Sequence, residues 1–129
     1  MLHTRFEHLA LNVPNMDAMA DWYCTHLAMT IARSDPGKKV FLADEAGVVV
    51  FELYANEDQP KLDLAETSWA ALHIAFVVDE MKPVLDALTA AGATIETPPT
   101  DAAGDTLTML RDPFGLALQL VERKTPILQ

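Results

Sequence analysis

The sequence predicts an α+β chain made of two tandem βαβββ modules. Three observations carry this reading. The order strand, helix, three strands runs through the chain twice. Polar residues recur at matching places in the two runs. The composition suits a folded domain: half of the 129 residues are apolar, 22% are charged, and no stretch is of low complexity, as in globular rather than disordered chains. The length fits one domain, residues 1–129, with module one at about 5–56 and module two at about 69–123.

Module one opens with FEHLALNV, a run of strand formers broken at Pro14-Asn15. Met16, Met19, Ala20, Tyr23 and Leu27 then recur at helical spacing, with Asn15 placed to cap and Asp17 in the first turn. The runs MTIARS, KKVFLAD and VVVFELYA read as three strands, separated by turn signals at Asp35-Pro36-Gly37 and from Asp44 to Gly47. A polar stretch from Asn56 to Glu66 follows, as a linker or a flap. Module two restarts with WAALHIAFVVD, a strand whose Asp79 is placed to cap the helix carrying Met81, Val84, Leu85 and Leu88. Gly92 ends that helix, and ATIET, DTLTMLRD and LALQLVER supply three more strands.

The repeat extends to single residues. His8 and His73 lie in the two opening strands, 65 positions apart (73 − 8). Glu52 and Gln119 lie in the two closing strands, 67 apart (119 − 52). Strand side chains alternate between faces. Leu9, Leu11, Val13, Phe51, Leu53, Leu72, Ile74, Phe76, Val78, Leu118 and Leu120 therefore form the face expected under the helices. The polar four share the other face with Ala10, Val50, Ala75 and Ala117, which suits the floor of a cavity. A buried carboxylate or imidazole without a partner costs several kcal/mol. Two imidazoles, one carboxylate and one amide oxygen can instead surround a divalent metal such as Zn, Ni, Mn, Co or Fe(II). Gln119 is the weakest donor of the set. His3 and His26 read as surface residues, and Trp22, Tyr23 and Trp69 as core or interface.

Charge and cysteine content narrow the setting. The net charge is −10, which argues against nucleic acid and against anionic membranes. Cys24 is the single cysteine, so no disulfide forms within the chain. MLHTRFEH lacks the apolar run of a signal peptide, and no stretch approaches the ~18 uninterrupted apolar residues of a membrane span. A cytoplasmic location is expected.

The stretches FEHLALNVPNMDAMADWYCTHLAM, LHIAFVVDEM and LRDPFGLALQLVER resemble the strand-helix opening of a glyoxalase-type module, its repeat, and the family's closing strand. With the module order, the chain is similar over nearly its whole length to the vicinal oxygen chelate superfamily of glyoxalases, bleomycin-resistance proteins and extradiol dioxygenases. The resemblance implies modules arranged as a half-open mixed β-barrel, often through a homodimer. It places four metal ligands at His8, Glu52, His73 and Gln119. The family's usual last ligand is a glutamate, so Gln119 departs from the pattern and leaves Glu52 as the only carboxylate and the candidate catalytic base. The implied activity is that of a metal-dependent lyase or isomerase on a small oxygenated compound. A non-catalytic binding protein of the bleomycin-resistance kind, an Fe(II) dioxygenase and a thiol-transferase of the fosfomycin-resistance type are the alternatives. Glutathione is not expected as co-substrate: glyoxalase I is expected to carry an arginine close after the first ligand, and the corresponding residue on the His8 face is Asn12.

Overall fold

The computed structural model describes residues 2–128. The chain forms two compact units, 1–62 and 63–129. The first contains β1 (Leu9–Asn12), α1 (Met16–His26), β2 (Thr30–Asp35), β3 (Lys39–Ala43) and β4 (Val49–Tyr54). The second contains β5 (Ile74–Val77), α2 (Met81–Ala90), β6 (Thr94–Ala102), β7 (Asp105–Arg111) and β8 (Ala117–Glu122). Each unit is thus βαβββ, the order expected of the two modules.

The sheets share one topology, β1-β4-β3-β2 in the first unit and β5-β8-β7-β6 in the second. In each, the opening strand pairs parallel with the closing strand and the remaining pairs are antiparallel. The helix is the crossover that a parallel pair needs. Alternation sends one set of side chains beneath it: Val40, Leu42, Phe51 and Leu53 are buried in the first unit, with Met16, Met19, Ala20 and Tyr23 of α1. Leu110, Leu118 and Leu120 are buried in the second, with Met81, Leu85 and Leu88 of α2.

Several local expectations change. Asn15 precedes α1 but makes no side-chain cap bond, and α2 begins after Glu80 rather than Asp79. The first free amide of α2, Met81 N–H, donates instead to Glu122 Oε2 of β8 at 2.8 Å, so a distant carboxylate satisfies an orphan helix donor. The opening strands are shorter than their apolar runs. Ala71 and Leu72 N–H both donate to Ser68 O, which bends Trp69–Leu72 into turns before β5. Leu9, at the free start of β1, stays 40% exposed. His8 and His73 accordingly stand one residue before their strands rather than within them. Gly92 has φ +104 just beyond α2 and stops it as expected.

Candidate metal centre

In the first unit, direct cross-strand partners share a face, and two rows of side chains run across the sheet opposite α1. One row is Arg33, Phe41, Glu52 and Ala10; the next is Asp35, Lys39, Tyr54 and Asn12. His8, just before β1, joins the first row: its ring stands edge-on to Phe41 with centroids 5.3 Å apart, and its Nε2 lies 3.4 Å from Glu52 Oε1.

Glu52 is buried, 4% exposed, and its other oxygen lies 3.8 Å from Lys39 Nζ. The Tyr54 hydroxyl also donates to it. That hydrogen bond raises the Tyr54 pKa above its ordinary value, with burial and the Glu52 charge adding to the effect. The carboxylate is therefore held from three sides by groups in adjacent rows.

His8 Nδ1 lies 2.8 Å from Glu7 Oε1. A carboxylate only accepts, so Nδ1 carries the proton and Nε2 is the atom turned to Glu52. In the neutral ring that leaves two lone-pair donors, Nε2 and Oε1, 3.4 Å apart. Such a pair repels unless a proton or a cation is shared between them. The carboxylate behind the histidine is the partner that metal-bound imidazoles commonly have, so the donor chemistry fits a divalent ion.

The second unit builds its histidine differently. His73 Nδ1 lies 2.8 Å from the Trp69 carbonyl oxygen. A carbonyl also only accepts, so here too Nδ1 carries the proton and Nε2 remains the donor atom. His73 is exposed. Gln119 is half-buried in β8, paired with Ala75 and with Met109, and its amide has no hydrogen-bond partner among the described residues. The structure thus brings His8 and Glu52 together in one unit and carries His73 and Gln119 in the other. Among the described residues no group of three or more His, Cys, Asp or Glu side chains gathers closely enough to hold a metal.

Asn12 resolves into a structural latch. Its Nδ2 donates to the carbonyls of Asn56, Gln59 and Pro60, and its Oδ1 accepts from Asn56 N–H, so the amide is fully used in pinning the loop after β4. Three groups around the site were not singled out from sequence: Glu7, Lys39 and Tyr54. The register could have found the last two, because a strand pairing that sets Phe41 against Glu52 also sets Lys39 against Tyr54. Glu7 carried no such signal. Trp22 and Tyr23 are buried and Trp69 is 42% exposed. His3 and His26 are exposed as expected, and burial beside Asp21 raises the Cys24 thiol pKa. No helix among the described residues is long and apolar enough to cross a membrane.

Comparison with known proteins identifies the family. A probable lactoylglutathione lyase of Vibrio parahaemolyticus is 28% identical over 133 residues, covering 96% of this chain and 94% of that protein. A glyoxalase/dioxygenase from Nostoc punctiforme shares the fold with a TM-score of 0.73 at 19% identity, over 94% of this chain and 92% of that one. A lactoylglutathione lyase from Agrobacterium tumefaciens does so with a TM-score of 0.67 at 18% identity, over 95% and 96%. The model of the Glyoxalase/Bleomycin resistance protein/Dioxygenase superfamily matches residues 5–120, and the chain belongs to that superfamily.

Proposed function

We propose that the protein is a metal-dependent lyase or isomerase of the glyoxalase type, acting on a small carbonyl compound with neighbouring oxygens. The observation that supports it most is the pair of lone-pair donors His8 Nε2 and Glu52 Oε1, 3.4 Å apart, backed by the Glu7 carboxylate. His8, Glu52, His73 and Gln119 would hold the ion. Each unit supplies two of the four. A bound divalent ion supplies electrostatic stabilisation of negative charge developing on a carbonyl oxygen.

The chain's own residues do the rest. Glu52 is the only carboxylate of the set and the base that removes a proton beside the carbonyl. The Tyr54 hydroxyl fixes its orientation, and the Phe41 ring stands edge-on to His8 beside it. Gln119, a neutral amide, leaves proton transfer to Glu52 alone.

Elemental analysis and calorimetric titration of untagged protein test the reading. About one tightly held divalent ion for each full ligand set, lost in His8→Ala and in His73→Ala, is the expected result. Glu52→Gln should keep part of the metal affinity and lose exchange of the substrate's α-proton with solvent. Absence of metal uptake by the wild type would leave His8 and Glu52 as a proton-bridged pair, and the binding-protein alternative would replace this one.

A further inference from the structure

The charge on the two sheets is unequal. Aligning closing strands at Glu52 and Gln119 makes the row Arg33, Phe41, Glu52, Ala10 correspond to Thr97, Met109, Gln119, Ala75 in the second unit. The next row, with Lys39 and Tyr54, corresponds to one with Leu107, Val121 and Val77. Those two rows of the second unit carry no charge, whereas the same rows of the first carry two cations and two acids. The cations flanking those rows are already committed: Arg123 pairs with Asp105, and the donors of Arg111 go to Glu96 and to the carbonyls of Leu64, Thr67 and Gly115.

The two cations of the first unit are not matched in this way. Arg33 is exposed and its guanidinium makes no ion pair or hydrogen bond among the described residues. Lys39 has a side chain 40% exposed, 3.8 Å from Glu52 Oε2. Asp35 stands opposite Lys39 in the register, yet no ion pair joins them among the described residues. Once Glu52 shares its charge with a divalent ion, its hold on Lys39 weakens. A dication held by one carboxylate and three neutral donors keeps a net positive charge, and Lys39 and Arg33 together outweigh the Asp35 carboxylate of their rows. In a protein of net charge −10 this is a local inversion of sign, and such a patch selects and steers an anion.

We infer that the substrate carries a second oxyanion group beyond its chelating oxygens, and that Lys39 and Arg33 bind it. The inference rests on the metal-site reading above. Adjacent strands lie about 4.8 Å apart, which puts the Arg33 backbone about 10 Å from that of Glu52. Arg33 and Lys39 side chains reach back over that span, so the oxyanion belongs a few bonds from the chelating end. Arginine's planar fork and lysine's point charge suit carboxylate and phosphate alike.

The test compares 2-oxoglutarate with 2-oxopentanoate, which share a chelating head and differ in the distal carboxylate, by calorimetry on zinc-loaded protein. The wild type should bind 2-oxoglutarate about 10-fold more tightly, the scale of one charge-assisted contact. Arg33→Gln and Lys39→Gln should each reduce that ratio and the double variant should bring it to one, while Lys38→Gln in the neighbouring turn should preserve it. Because a ratio within one variant is read, a general weakening of binding cancels. Stronger erasure of the preference by inorganic phosphate than by acetate assigns the site to phosphoryl groups, and the reverse to carboxylates; both support the inference. Zinc uptake with equal affinities for the two acids in the wild type overturns it while leaving the metal reading intact. A preference surviving in the double variant also overturns it. A wild type that takes up no zinc overturns the metal reading and this inference together.

Discussion

The two units repeat one scaffold down to the turn that joins their last two strands, and differ in what lies over that turn. In the first unit Gly47 N–H donates to Asp44 O and Val48 N–H to Asp44 Oδ1; in the second Gly115 N–H donates to Asp112 O and Leu116 N–H to Asp112 Oδ1. Both glycines have positive φ, +84 and +94. A Cβ on Gly47 would meet nothing within 4 Å, whereas one on Gly115 would stand 2.7 Å from the Ala65 backbone nitrogen. The same hairpin is open in one copy and roofed by the chain in the other. Duplication supplies two identical frames, and the segment before β5 packs against the turn of the second where the turn of the first stays open. Ala substitution separates the two most sharply. Gly47→Ala should cost about 1–2 kcal/mol for the left-handed backbone alone. Gly115→Ala should add a further ~1–3 kcal/mol for overpacking. Urea unfolding of both variants checks this, and equal costs would mean that the roof yields freely.

Each unit also has one side chain that pins its long loop, and these pins differ in strength. Arg111 joins Glu96 to three carbonyls on the roofing segment and the turn, with its side chain only 17% exposed. Asn12 holds the loop after β4 with a neutral amide. Hydrogen bonds to charged groups contribute about 1.5–3 kcal/mol and neutral ones about 0.5–1.5. Arg111→Ala should therefore lose about 3 kcal/mol in denaturant titrations and Asn12→Ala about 1 kcal/mol. The reverse order would show that the Arg111 network is compensated when broken.

Much of this was legible in the sequence because the periodicities were clean. Phe51-Glu52-Leu53 and Leu118-Gln119-Leu120 fix the face of each closing strand, and their flanking apolar residues are fully buried. The caps were less legible. Asn15 and Asp79 are good capping residues in isolation, but Glu122 reaches Met81 N–H from 41 positions away, a contact no local pattern encodes. His8 and His73 were recognisable as a pair, yet their strand placement was one residue generous, because apolar runs continue through Trp69–Leu72 where the backbone already turns. The cations Arg33 and Lys39 look ordinary in sequence. They matter only through register across two hairpins, a long-range property.

The histidines offer a finer contrast, since one is oriented by a side chain and the other by the backbone. Glu7 behind His8 is 79% exposed, while His73 rests on the Trp69 carbonyl. Outer partners of metal-binding histidines typically account for 10–100-fold in affinity, and exposure places Glu7 at the low end. Under the proposed metal reading, Glu7→Ala should weaken metal binding about 10-fold. Trp69→Ala keeps its carbonyl and should leave the affinity unchanged, although the ring contact with His73 is lost. Calorimetric titration of the two variants reads both effects. A larger loss in Trp69→Ala would move the constraint on His73 from the carbonyl to the indole.

The smallest effects are in pH dependence, and the two units respond at opposite ends of the scale. In the second, Asp105 accepts from Lys124 N–H at 2.8 Å and from Arg123 Nη1 at 2.9 Å, and the first of these bonds chiefly lowers its pKa. A carboxyl lowered in the folded state stabilises it above the ordinary aspartate value of about 3.9, and that contribution fades as pH falls through the lowered pKa. In the first unit Tyr54, bonded to Glu52, is raised. Its contribution is present below the ordinary tyrosine value of about 10 and fades as pH rises through the raised one. Val121 fills the matching place in the second unit, so no such bond exists there. Asp105→Asn should therefore be less stable than wild type at neutral pH, with the gap closing in acid. Glu52→Gln should bring the Tyr54 phenol, isolated as the difference from Tyr54→Phe in ultraviolet titration, back toward its ordinary value. If Tyr54 titrates unchanged in Glu52→Gln, its hydroxyl does not hold the carboxylate, and the orientation of Glu52 rests on Lys39 and His8 alone.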